Sequence, residues 1–152
     1  MLPEPLNLKL EFAIGEIELE LSRLEPLFFY AGQRPLDYIE MIAAAGALHG
    51  LYSGIESLFL LIQKSLDGRV THEHSAWHKE LLRLMTLETP NRPAVLTQET
   101  AELLKDFLNF RHFFRHRYAT SLDADIVKNK LQSFPPVWSR VHQELLTFLR
   151  DA

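Results

Sequence analysis

The stretch PLDYIEMIAAAGALHGLYSGIESLFLLIQKSLDG, residues 35–68, decides the fold. Within it Met41, Ala45, Leu48, Tyr52, Ile55, Phe59 and Ile62 recur at three- and four-residue spacing, the period of one helix face. Pro35 suits a first helical turn, and Asp67-Gly68 is a stop signal. The reading is a helix of about 30 residues, roughly 45 Å at about 1.5 Å per residue, forming the spine of the molecule. Ala43, Ala44 and Ala45 with Gly46, Gly50 and Gly54 give it a thin face that another helix can approach closely.

Outward from the spine, every other segment also reads as helix. Leu6 to about Phe29 carries leucines and isoleucines at helical spacing, with Pro26 set to end or kink it and Gly32 and Pro35 beyond. A polar loop over 68–75 precedes a short helix from about Ser75 to Leu87, and Thr89-Pro90-Asn91-Arg92-Pro93 is a rigid connector. A further helix opens at Thr97-Gln98-Glu99-Thr100, a capping signature that lacks its Glu or Gln, and continues to about Ala119. Asp123 caps a helix to Ser133, and Pro135-Pro136 separates it from a last helix ending near Arg150. Nothing alternates as a strand does. The expectation is an all-α single domain over 1–152, with an acidic N-terminal helix (1–34) on a core bundle (35–152).

A length of 152 residues suits one core, and 47% hydrophobic with 24% charged residues argues against disorder. The absence of cysteine excludes disulfides, thiolate catalysis and cysteine-held metals, and points to a reducing compartment. Met1-Leu2-Pro3-Glu4-Pro5 lacks the basic patch and apolar core of a signal peptide. The longest apolar run, around Leu58–Ile62, falls short of the ~20 residues that span a bilayer. A cytoplasmic location with no membrane partner is therefore expected. A net charge of −4 rules out a whole-chain basic field for nucleic acid. The charge is uneven, however: residues 1–40 hold eight acids and three bases, whereas 111–118 holds three arginines, two histidines and no acid.

On a helical wheel, Phe107, Phe110, Phe113 and Phe114 share one arc, the core face, while Arg111, Arg115, His112, His116 and Tyr118 collect on the opposite one. Like charges at i,i+4, such as Arg111 and Arg115, repel, so an anionic ligand is the natural counterpart. The chemistry such a set suits is metal-free cleavage of RNA. Histidine exchanges protons near neutrality and serves the 2′-hydroxyl or the departing 5′-oxygen; arginine stabilises charge developing at phosphorus. One His does not easily serve both sides of an in-line displacement, which makes a symmetric dimer with these helices facing each other attractive.

Arg111-x4-His116 resembles the Arg-x4–6-His signature of HEPN domains, and its extension to Tyr118 looks like the HepT branch, the toxin of the HepT–MntA toxin–antitoxin system. Leu51-Tyr52-Ser53-Gly54-Ile55-Glu56 and Trp77-His78-Lys79-Glu80-Leu81-Leu82 extend the similarity over roughly 40–150. The resemblance implies a HEPN-type bundle and a two-fold homodimer whose composite ribonuclease site uses Arg111 and His116 of both subunits on tRNA or mRNA, without cofactor or metal. Taken with it, His112, Arg115 and Glu56 are expected as supporting residues of the phosphate site; His112 stands where many HEPN proteins carry another polar residue, often Asn. The resemblance further implies an MntA-like nucleotidyltransferase antitoxin that places AMP on Tyr118 and assembles with the dimer into a larger hetero-oligomer. A phosphate on Tyr118 would pair with Arg111 or Arg115 and fill the place of substrate phosphate.

Plainer readings stand beside these. The arc of Arg111 and His116 also fits a solvated helix face, and Tyr118 a packed ring. Glu56 either reaches across from the spine to orient Arg111 or is a surface acid, the commoner state of a helix Glu. His72, Glu73, His74 and His78 lack the spacing of a dedicated metal site, so no metal is expected. Trp77 reads as an anchor of its helix. A different class of function is a non-catalytic HEPN-like module that grips phosphate for a partner nucleotidyltransferase; a third is a helical interaction protein that docks a basic partner on its acidic first helix.

Overall fold

Asp37, rather than Pro35, opens the spine. In the computed structural model, which describes residues 2–68, 76–116 and 123–152 and the backbone alone over 112–116, helix α3 runs Tyr38–Ile62. Its first turn is closed by a reciprocal capping box. The Asp37 carboxylate accepts from the Glu40 N–H at 2.8 Å, and the Glu40 carboxylate accepts from the Asp37 N–H at 3.0 Å. Arg34 grips Glu40 from outside through two bonds of 2.6 and 2.8 Å. The other end widens into a π-type turn over Gln63–Asp67 and stops at Gly68, whose φ of 72° only glycine adopts cheaply.

Two measurable consequences follow from this cap. Asp37→Ala should cost about 1 kcal/mol, read as a midpoint shift in urea with unchanged slope. The Arg34 guanidinium and the Asp37 N–H hold the Glu40 carboxyl at about 2, well below its ordinary 4.5. A depressed folded-state value contributes stability above about pH 4.5 that is lost as pH falls towards 2. Glu40→Gln should therefore melt slightly below wild type at pH 7 and level with it at pH 2; a gap that persists at pH 2 contradicts the assignment.

The remaining described elements are α1 (Glu4–Arg23), α2 (Glu25–Gln33), α4 (Trp77–Met85), α5 (Gln98–His116) and α6 (Ala124–Asp151), and among the described residues there is no strand. The all-α expectation holds. The acidic segment 1–34 is two helices, not one: the chain bends at Leu24, and Pro26 sits in the first turn of α2, where its missing N–H costs nothing. α3 packs against α1, α4, α5 and α6, and α2 leans on α6. Of the expected small-residue face, Ala44, Ala45 and Gly54 are used. A Cβ on Gly54 would lie 3.3 Å from Ile17 Cγ1, while one on Gly46 or Gly50 meets nothing within 4 Å. By length and composition Tyr38–Asp67 is apolar enough to cross a bilayer (mean hydropathy 1.3), contrary to the expectation from the short continuous run; half of that window is buried inside the bundle.

Pro135 and Pro136 do not divide the C-terminal segment; both lie inside the continuous α6. Each proline removes an N–H that would have met a carbonyl one turn earlier. The stripe Leu131, Phe134, Val137, Trp138, Val141, Leu145 and Phe148 is buried on both sides of the pair. That continuous apolar stripe holds the axis, and tertiary burial overrides a local breaker. α6 also completes the incomplete cap at α5. Thr97 Oγ1 accepts from the Thr100 N–H at 3.2 Å, and the acid missing from the sequence signature arrives as Glu144. Glu144 accepts from the Thr97 N–H at 2.6 Å and from the Thr100 hydroxyl.

Candidate functional site

Three residues of α3, His49, Tyr52 and Glu56, lie three and four positions apart and so share one face. That face meets α5 at Arg111 and α4 at His78. Glu56 is only 4% exposed, and a carboxylate so placed requires compensating donors. It has two. Arg111 Nη1 donates to Oε1 at 2.5 Å, and His78 Nδ1 lies 2.6 Å from Oε2. Arg111 Nε approaches His49 Nε2 at 3.4 Å, and its Cζ lies 6.0 Å from the centroid of the Tyr52 ring. Trp77 packs against the core, as expected of an anchor, and its ring lies over the His78 imidazole with centroids 3.7 Å apart.

Tyr52 is the floor of this cluster. Among the described residues its buried hydroxyl has no hydrogen-bond partner. Burial, reinforced by the Glu56 charge and opposed by Arg111, pushes the phenol up, so it stays protonated. The Arg111 and His78 side chains keep 13% and 23% exposure respectively, so the cluster reaches the surface through these two groups.

Of the residues singled out in the sequence, the structure brings together Arg111 and Glu56. The surface-acid reading of Glu56 is overturned. The counter-charge of Arg111 comes from α3 rather than from its own helix. The side chains of His112, Arg115 and His116 lie outside the described residues, although the α5 backbone runs to His116. Tyr118, His72, Glu73 and His74 lie wholly outside them. Phe107 and Phe110 are buried on the expected core face. His49, Tyr52 and His78 were missed as members of the site. The available signal was the phase of Glu56, which falls on the apolar stripe between Tyr52 and Phe59, where an acid demands a cation from a neighbouring helix.

Between α4 and α5 lies a groove of about 320 Å³, lined by Lys79, Arg83 and Lys105 but also by Glu80 and Glu102. Those acids pair with Arg83 at 2.6 Å and Lys105 at 3.4 Å, so the groove is mixed in sign and offers phosphate no uniform field. Among the described residues no group of three or more metal-ligating side chains gathers.

A family model described as HepT-like protein matches residues 43–152, which takes in α4, α5, α6, the site and nearly all of α3, and leaves out α1 and α2. No curated protein and no solved structure gives a significant match.

Proposed function

We propose a ribonuclease activity from one premise: this chain belongs to the HepT-like family. In our reading it is a metal-independent endoribonuclease toxin of a toxin–antitoxin pair, with Arg111 and His116 as the reacting residues. The observation that carries the reading is the seating of Arg111. Glu56 and His49 hold its guanidinium at the edge of the bundle, at the start of the acid-free segment 111–118. A guanidinium has five N–H donors in a rigid fork. Fixing Nη1 and Nε orients the rest of the fork, and a preorganised cation costs little reorganisation when charge develops at phosphorus.

His116 follows on the same helix, about 7.5 Å further along the axis. In the proposed reaction the 2′-hydroxyl loses its proton and attacks phosphorus, the P–O5′ bond breaks, and the 5′-oxygen leaves with a proton. The products are a 2′,3′-cyclic phosphate and a 5′-hydroxyl. His116 supplies proton transfer, Arg111 holds the non-bridging oxygens, and His112 and Arg115 assist in holding phosphate. Two protomers across a two-fold axis would face their α5 helices towards one strand. The regulator is an MntA-like nucleotidyltransferase that uses ATP to place AMP on Tyr118, and the location is cytoplasmic.

Growth supplies the test. Expression without the antitoxin should arrest cells, and His116→Ala should relieve the arrest; toxicity equal in both contradicts the site. With antitoxin and ATP, wild type should gain AMP mass and Tyr118→Phe should not; equal labelling refutes the modification site. One observation favours a second reading, a non-catalytic module that binds for a partner nucleotidyltransferase: Glu56 already neutralises Arg111, as in a purely structural pair. Under that reading expression alone is harmless and RNA stays intact.

A further inference from the structure

We propose that His78 is a second proton-transfer residue of this site, the base that takes the 2′-hydroxyl proton at Nε2. The assignment rests on the ribonuclease reading above and on the geometry around Glu56. A carboxylate only accepts hydrogen bonds, so the 2.6 Å contact from Glu56 Oε2 places the hydrogen of the neutral imidazole on Nδ1. The lone pair then sits on Nε2. A carboxylate fixing the ring and tautomer of a histidine that works through its other nitrogen is the arrangement of general-base histidines. The 3.5 Å separation of Arg111 Nη1 from His78 Nδ1 is consistent with this: both are donors aimed at the same carboxylate.

The surroundings suit the role. The Trp77 ring lies against one face of the imidazole at 3.7 Å between centroids, which restricts its rotation. The side chain is 23% exposed, so part of the imidazole is open to solvent. Among the described residues, the charged and titratable groups facing it are Glu56 from α3 and Arg111 from α5, with His49 and Tyr52 of α3 behind Arg111. Glu56 thus joins the phosphate-holding arginine to the base, and a single carboxylate sets the distance between them.

In the step, the 2′-O–H bond breaks and its proton goes to His78 Nε2, forming an imidazolium that Glu56 stabilises. The 2′-oxygen electron pair forms the new bond to phosphorus as P–O5′ breaks, and the His116 imidazolium gives its proton to the leaving 5′-oxygen. Proton exchange with water restores both rings.

His78→Asn separates this role from a structural one, because the Asn amide N–H takes the place of Nδ1–H and preserves the bond to Glu56 while removing the base. RNA cleavage by His78→Asn should fall by about 10²-fold or more, with unchanged affinity for a 2′-deoxy analogue of the substrate. A substrate with sulfur in place of the bridging 5′-oxygen needs no acid. It should rescue His116→Ala and leave His78→Asn slow. A His78→Asn enzyme within threefold of wild type, or one rescued by the sulfur substrate, overturns the assignment while leaving the ribonuclease reading intact. A wild type that leaves RNA uncut overturns both.

Discussion

Arg92→Ala should lower stability by about 3–5 kcal/mol, the largest single loss expected in the molecule. The Arg92 side chain is fully buried and all five of its N–H donors are used. Nε and Nη2 clasp the two oxygens of Asp67 at 2.8 and 2.9 Å. Nη1 donates to the Leu87 and Pro93 carbonyls at 2.9 and 3.1 Å, and Nη2 to the Leu84 carbonyl at 3.2 Å. Leu84 lies in the last turn of α4 and Leu87 just beyond its C-cap, where carbonyls lack the usual helical partner one turn on. One side chain therefore caps α4 and ties it to the π-type turn that ends the spine. Truncation strands a nearly buried carboxylate together with the Leu87 and Pro93 carbonyls, while the Leu84 carbonyl keeps the Leu87 N–H at 3.2 Å. For a domain whose whole stability is about 5–15 kcal/mol, that loss should bring the melting temperature down by roughly 10 °C. Arg92→Lys should recover only part of it, because an ammonium cannot clasp both oxygens in one plane. A shift below about 2 °C in Arg92→Ala contradicts this account.

The second large effect concerns Arg111→Ala. Cleavage should drop by about 10²–10³-fold, the usual loss on removing one preorganised donor to developing charge. Stability should drop as well, since Glu56 stays buried with the His78 Nδ1 contact but without its cation. These two losses separate. Adding Glu56→Gln to Arg111→Ala removes the stranded charge, so the double variant should melt closer to wild type than the single one while its cleavage stays at the floor. If activity returned along with stability, Arg111 would be a structural residue and the non-catalytic reading would gain.

Much of the fold was legible because it rests on periodicity. The spine, its glycine stop, the burial of Phe107 and Phe110 on α5 and the break before Pro26 all follow from spacing and local backbone chemistry, while the side chains of Phe113 and Phe114 lie outside the described residues. Contacts between segments distant in sequence were not legible. Pro135-Pro136 looks like a boundary until the stripe from Leu131 to Phe148 is seen to be buried without interruption. The missing acid of the α5 cap comes from Glu144, 47 positions beyond Thr97. Arg92 read as one residue of a connector, since nothing in Thr89-Pro90-Asn91-Arg92-Pro93 announces a partner 25 positions back. In the site, Arg111 was visible by motif and Glu56 by motif context, but their pairing spans 55 positions. His78 stands in sequence among His72, Glu73 and His74, whereas its partner is the spine carboxylate 22 positions back. Pattern locates residues along one element; pairing across elements depends on how α3, α4 and α5 are turned towards one another.

The central claim is that this chain cuts RNA through Arg111 and histidine, without metal. The most direct measurement incubates purified protein, expressed without its antitoxin, with RNA in excess EDTA and identifies the new ends. The account predicts cleavage undiminished by EDTA, 2′,3′-cyclic phosphate and 5′-hydroxyl termini, and no cleavage by Arg111→Ala or His116→Ala. Intact RNA, cleavage abolished by EDTA, or full cleavage by either variant would contradict it.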